Sequence, residues 1–277
     1  MREVTTPRPR VGLALGGGAA RGYAHLGVLR VLEQEGIRPD LIVGTSAGAL
    51  AGVFLAAGFS VERIEAWAAG LRWSLIARPV VSRLGFVSND RLGRLLRRTL
   101  PVQTFQELSL PFACVATDVA TSDPVVIADG DIPSAIQASC AIPGIVTPVR
   151  RDGRMLMDGG VSANVPTSAA RSMGADIVIA VDVNGGYRPA RPPTHFVSIL
   201  IQAFSAVGRL AELRDGADAD VLIAPDIGDV RLDELHRADE LIRAGETRAR
   251  EVIAELKRAI REWRPRTDEP PRAVAAA

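Results

Sequence analysis

The sequence predicts a doubly wound α/β fold, with a mostly parallel central sheet flanked by helices. Three observations lead there. Short apolar runs alternate with longer stretches of helical periodicity along most of the chain, the pattern of a layered α/β domain. The first 58 residues read as β-α-β-α, which calls for a right-handed crossover and parallel strands. Ile177–Val183 is rich in β-branched residues, as a strand buried on both faces should be. The length of 277 residues fits one large domain of this class. Apolar residues make up 47% and aromatics only 4%, so alanine and valine must fill much of the core.

Val11–Leu15 is the first strand. Arg21–Glu35 is a helix with Leu26, Leu29 and Leu32 at helical spacing, and Gly36 stops it. Leu41–Val43 is the second strand, and the small residues from Ala49 to Gly58 form a tightly packed helix. Residues 60–100 are mostly helical, starting at Ser60. Within them Trp67–Val87 turns apolar and irregular; it reads as a buried excursion, or else as part of an acyl pocket or a mobile cover. Ser88–Leu100 is a basic amphipathic helix, whose arginines make a solvated face or a contact for anionic lipid headgroups. Phe112–Val119 and Val125–Ala128 are strands and Ile132–Ser139 is a short helix. Ala141–Pro148 is extended, and a hairpin turns at Asp152-Gly153. After the central strand come a helix over Val197–Leu213, a strand over Val221–Ala224 and a helix over Leu235–Arg261. Residues 264–277 read as a disordered tail.

Net charge is +1, too small an excess for a general nucleic-acid binder. Cys114 and Cys140 give neither a disulfide framework nor zinc spacing, and suit a reducing compartment. No secretory leader and no run of 18 apolar residues is recognisable, so the expected location is cytoplasmic, with room for a peripheral position at the inner membrane.

Gly44-Thr45-Ser46-Ala47-Gly48 is a G-x-S-x-G segment between a strand and a helix. Such a turn holds a serine hydroxyl clear of the backbone, where it can attack an ester. Gly44 and Gly48 leave room for the strained bend. Acyl transfer also needs donors for an oxyanion. Gly16-Gly17-Gly18-Ala19-Ala20-Arg21-Gly22 follows a strand and opens a helix, so its N–H groups can face an anion; Arg21 adds charge there or braces the loop. A dinucleotide fingerprint would need glycine where Arg21 stands, and no P-loop occurs. For a base, Asp158-Gly159-Gly160 follows a strand, and its glycines allow the carboxylate to approach another loop. Burial would raise its pKa into a useful range. Of the three histidines, His25 reads as a packing residue, while His195 and His236 sit at helix starts without a distinctive motif.

Taken in order, the glycine loop with Arg21-Gly22, the Gly44–Gly48 elbow and Asp158-Gly159-Gly160 resemble the patatin-like phospholipase family, and its small bacterial members most. Ala116-Thr117-Asp118 and Ala138-Ser139-Cys140-Ala141-Ile142-Pro143 also look like family blocks, so the resemblance runs from Val11 to about Val183. It implies the family's three-layer fold, with an acyl hydrolase domain over 11–225 and a C-terminal helical extension over 226–263. It implies a serine–aspartate dyad with Ser46 as nucleophile and Asp158 as base, and no catalytic histidine. Gly17 and Gly18, with Arg21 nearby, form the implied oxyanion hole. Plant-type members carry an aspartate where Gly16 stands and a third glycine where Ala19 stands. The implied substrate is a fatty acyl ester of a lipid, with no metal or organic cofactor and a transient membrane-surface contact. A lysophospholipase, thioesterase or transacylase, or a non-catalytic protein on the same scaffold, are the alternatives.

Overall fold

A computed structural model describes residues 8–189, 192–194, 196–215 and 218–265. His195 and the predicted tail beyond position 265 lie outside the described residues. The elements run β1 (Val11–Leu15), α1 (Tyr23–Gln34), β2 (Leu41–Thr45), α2 (Ala47–Ala56), α3 (Val61–Ala69), α4 (Trp73–Ile76), β3 (Arg78–Pro79), β4 (Val87–Ser88) and α5 (Asp90–Thr99). They continue with β5 (Phe112–Asp118), β6 (Pro124–Ile127), α6 (Ile132–Ser139), β7 (Val149–Arg151), β8 (Arg154–Asp158), α7 (Thr167–Ser172), β9 (Ile177–Val181), α8 (Phe196–Asp215), β10 (Val221–Ile223) and α9 (Ala238–Glu262).

The main sheet has the order β10-β9-β1-β2-β5-β8-β7, with β6 also paired to β5. The five strands from β10 to β5 are parallel; β8 and β6 run antiparallel to β5. The sheet is therefore mixed, mostly parallel and flanked by helices. Strand residues alternate between two apolar layers. Leu13, Leu15, Ile42, Cys114, Ala116 and Ile179 join α1, α2, α6 and α9 on one face. Ala14, Leu41, Val43, Ala113, Val115 and Val178 join α7 on the other. Alanines at Ala14, Ala113, Ala170 and Ala175 let that thin second layer pack closely.

The registers on β5 position the site. Thr45 at the end of β2 lies opposite Val115. Asp158 at the end of β8 lies opposite Ala116. Because β6 occupies the other edge of both Val115 and Ala116, β2 and β8 must share one edge of β5. They run toward each other along it, and their carboxyl ends meet.

Two expectations need correction. Trp67–Val87 is not a buried excursion: Trp73, Leu75, Val81, Leu84 and Phe86 are all exposed, in a segment made of the short α4 and the β3–β4 pair. Residues 143–145 form a turn rather than an extended segment. No sequence signal announces α7, a helix of six residues.

Candidate active site

Ser46 sits between β2 and α2 with φ 52° and ψ −116°. A non-glycine residue there is strained, and the surroundings must hold it. They do so through its backbone. The Ser46 N–H donates to Ser139 Oγ at 2.9 Å, and the Ser139 hydroxyl donates to the Val115 carbonyl at 2.6 Å. Ser139 thereby ties the bend to β5. Close packing explains the glycines. A Cβ on Gly48 would fall 2.1 Å from the Leu15 carbonyl oxygen, and one on Gly44 would fall 2.5 Å from the backbone of Ala49.

Asp158 is fully buried. Its Oδ1 accepts from the Gly160 N–H at 2.9 Å, and Thr117 Oγ1 donates to its carbonyl at 3.0 Å. Burial pushes its carboxyl from 3.8 up to about 7, against the pull of the Gly160 amide and the Ser46 hydroxyl. The buried Oδ2 of Asp158 has no hydrogen-bond partner among the described residues. Gly159 lets the base loop lie against β5: a Cβ there would stand 2.3 Å from the Val115 carbonyl oxygen. One on Gly160 would meet Phe204 of α8 at 2.9 Å, so α8 lies over this loop.

The glycine loop passes beside the nucleophile; a Cβ on Gly17 would lie 3.3 Å from Ser46 Cβ. Its polar groups are not all free. Gly16 N–H donates to the Val181 carbonyl at 2.9 Å, and its carbonyl accepts from His25 Nε2 at 2.8 Å. Gly17 N–H donates to the Asn164 carbonyl at 3.1 Å, and its carbonyl accepts from Asn184 Nδ2 at 2.7 Å. The expectation that Gly17 faces the oxyanion therefore fails: its amide is already engaged. The N–H groups of Gly18 and Ala19 have no acceptor among the described residues.

The Arg21 side chain is engaged as well. It is buried, donating from Nε to the Val230 carbonyl and from Nη1 to Asn184 Oδ1, both at 2.8 Å, with its guanidinium 3.7 Å from the Tyr187 ring centre. Burial lowers its pKa to about 10. Its role is to brace the loop. His25 is held near 4 by burial, so it is neutral and donates to Gly16 as a packing residue. His236 lies exposed in a 3-10 turn before α9. Burial raises both thiols, Cys114 to about 12 and Cys140 well above its ordinary value, with the Asp158 charge adding to the latter.

Sequence reasoning missed Asn164 and the roles of Ser139 and Thr117. Asn164 stands between the two loops, its Oδ1 2.8 Å from where a Cβ on Gly17 would be and 3.1 Å from one on Gly160. Ser139 and Thr117 lie in segments that the motif order had already singled out, but only the fold shows what they hold.

The patatin-like phospholipase model matches residues 13–171. An NTE family protein of Mycobacterium tuberculosis is 38% identical over 187 residues, covering 66% of this chain and 52% of that protein. The human patatin-like phospholipase domain-containing protein 6 is 36% identical over 184 residues, 62% of this chain and 13% of that protein. Lysophospholipase nte1 of Aspergillus fumigatus is 32% identical over 179 residues, 62% of this chain and 12% of that protein. The chain thus spans about half the length of the mycobacterial relative and far less of the others. In three dimensions VipD of Legionella pneumophila is similar with a TM-score of 0.56 at 14% identity, over 90% of this chain and 67% of that one. VipD shares the fold, and the family model covers more than half of the chain, so the chain belongs to the patatin-like phospholipase family.

Proposed function

We propose that this protein is a serine acyl hydrolase of lipid esters working through a Ser46–Asp158 dyad. The observation that carries the reading is the meeting of the strained Ser46 at the end of β2 with the buried carboxyl of Asp158 at the end of β8, which burial pushes up to about 7. A carboxylate at its usual pKa is a poor base; one raised to near neutrality can take a hydroxyl proton as the hydroxyl attacks. Ser46 Oγ bonds to the ester carbonyl carbon and its proton passes to Asp158. The carbonyl oxygen becomes an oxyanion, and the N–H groups of Gly18 and Ala19 are its donors. Collapse breaks the ester bond, Asp158 returns the proton to the leaving alcohol, and an acyl-Ser46 remains. Water then attacks it, giving a proton to Asp158, which passes that proton to Ser46 Oγ as the acyl bond breaks and the fatty acid leaves. The kinship with proteins named phospholipase and lysophospholipase supports a lipid ester as substrate.

Contact with a lipid surface belongs to the same reading. Phe86 and Phe196 meet edge to face at 6.2 Å, joining the exposed apolar residues of the 73–86 segment to those of α8. Exposed Arg72, Arg83 and Arg98 have no ion-pair partner among the described residues. An apolar patch with Arg72 and Arg83 close to it in sequence suits an anionic bilayer.

Hydrolysis of a lysophospholipid and of a simple ester, measured for the wild type, Ser46→Ala and Asp158→Asn, tests the proposal. Both variants should fold and lose at least about a thousandfold in turnover. Activity that survives in Ser46→Ala would overturn it.

A further inference from the structure

A second apolar feature begins at Ala47, the residue after Ser46. Three helices meet at a groove of about 60 Å³. Ala47, Leu50, Ala51 and Phe54 line it from α2, at the spacing of one helix face. Ala19, Gly22, Tyr23 and Leu26 line it from the glycine loop and α1 in the same way, and Ile64, Trp67 and Ala68 line it from α3. Its inner wall is closed by buried Leu26, Phe54 and Ile64, with the Phe54 and Trp67 rings 4.4 Å apart. Its open side is partly exposed at Ala19, Ala47 and Leu50.

The position matters more than the size. Ala47 follows the nucleophile directly, and Ala19 carries one of the two unengaged amides of the glycine loop. A carbonyl group held between Ser46 and that amide therefore has the groove immediately next to it. Charge decides between this groove and the larger cleft of about 780 Å³ nearby. That cleft has a mixed lining, with prolines, Ile201 and Leu232 but also Arg21, Asp229, Arg231, Asp233 and Glu234, whose charged groups a hydrocarbon chain would have to strip of water. The three-helix groove is almost wholly apolar, so a chain entering it gains burial without that cost.

We infer that the groove between α1, α2 and α3 receives the acyl chain of the substrate, and that Ala51, Phe54, Ile64 and Trp67 set the chain length accepted. The inference rests on the hydrolase reading above. It replaces the 67–87 segment as the acyl pocket, since most of that segment faces outward and only Trp67, Ala68 and Leu71 of it line the groove.

Two measurements test it. The first is kcat/KM for p-nitrophenyl esters from acetate to dodecanoate. Ala51→Leu narrows the groove and should lower the preference for long over short chains by at least about tenfold, while Ile64→Ala deepens it and should move the preferred length upward. The second needs no turnover and covers a variant that folds poorly. In Ser46→Ala protein, a brominated fatty acid should quench tryptophan fluorescence saturably, and Trp67→Phe should remove most of that quenching. An active enzyme whose chain-length profile is the same in all variants overturns the groove and leaves the hydrolase reading standing. An inactive wild type that still shows quenching dependent on Trp67 overturns the hydrolase reading and keeps the groove as an acyl site. Full quenching in Trp67→Phe overturns the groove.

Discussion

Ser46 and Asp158 are both held at a cost to stability, one in backbone conformation and the other in desolvation. For Asp158 the pH dependence follows from the shift. Below about pH 3.8 folded and unfolded chains both carry the proton, and the group contributes nothing. From there to about 7 the unfolded chain releases its proton while the folded one keeps it, so stability falls as pH rises. The loss approaches about 4 kcal/mol above pH 7. Asp158→Asn removes it, so thermal melts should find this variant more stable than the wild type at pH 8, with the gap shrinking toward pH 4. Hydrolysis by the wild type should rise with pH through about 7, as the carboxylate becomes available. Ser139 gives a second check. Ser139→Ala leaves the Ser46 N–H and the Val115 carbonyl buried without their bridge, which should destabilise the protein by about 1–3 kcal/mol and lower kcat more than it raises KM. Ser46 and Asp158 stand out in the sequence as candidates because each lies in a local pattern with glycines around it. Asn164 and the engagement of the Gly17 amide could not, because both depend on loops brought together from distant parts of the chain.

At the scale of elements, the site depends on β2 and β8 meeting end to end along one edge of β5. The strands themselves were legible as short apolar runs bounded by glycines. Their order was not, since a strand's own residues do not say which neighbour it pairs with or in which direction. The outward-facing 73–86 segment misled for a related reason: apolar composition reports affinity for a nonpolar surface, whether that surface is a core or a partner. The short α7, only six residues, has too little periodicity to stand out. A different device joins α9 to α1. A Cβ on Gly245 would lie 2.0 Å from the Ala24 carbonyl oxygen, and one on Gly27 would lie 2.0 Å from that of Ile242. The two helices touch backbone to backbone. Replacing a helical glycine by alanine usually gains about 1 kcal/mol, but here the methyl must push the helices apart. Gly245→Ala should therefore reduce stability by about 1–3 kcal/mol, as read by urea denaturation; a stabilised variant would show that α9 does not pack this way.

For the whole molecule, the loops at the carboxyl ends of β1, β2 and β8 collect on one side of the sheet, and α8 lies over the base loop while its Phe196, Ile199 and Leu210 face outward. No helix among the described residues is long and apolar enough to cross a membrane. Binding to a bilayer would then run through this apolar and basic surface. Sedimentation with anionic vesicles should show binding that weakens as salt rises, and Phe86→Asp with Phe196→Asp should abolish it without lowering hydrolysis of a water-soluble ester. Vesicle binding equal to the wild type would place the contact elsewhere. The central claim, that Asp158 activates Ser46, is tested most directly by the rate and site of labelling with a fluorophosphonate. Peptide mapping should find the adduct on Ser46 in the wild type, and Asp158→Asn should slow its formation at least about a hundredfold. An adduct on another serine, or an equal rate in Asp158→Asn, would contradict the account.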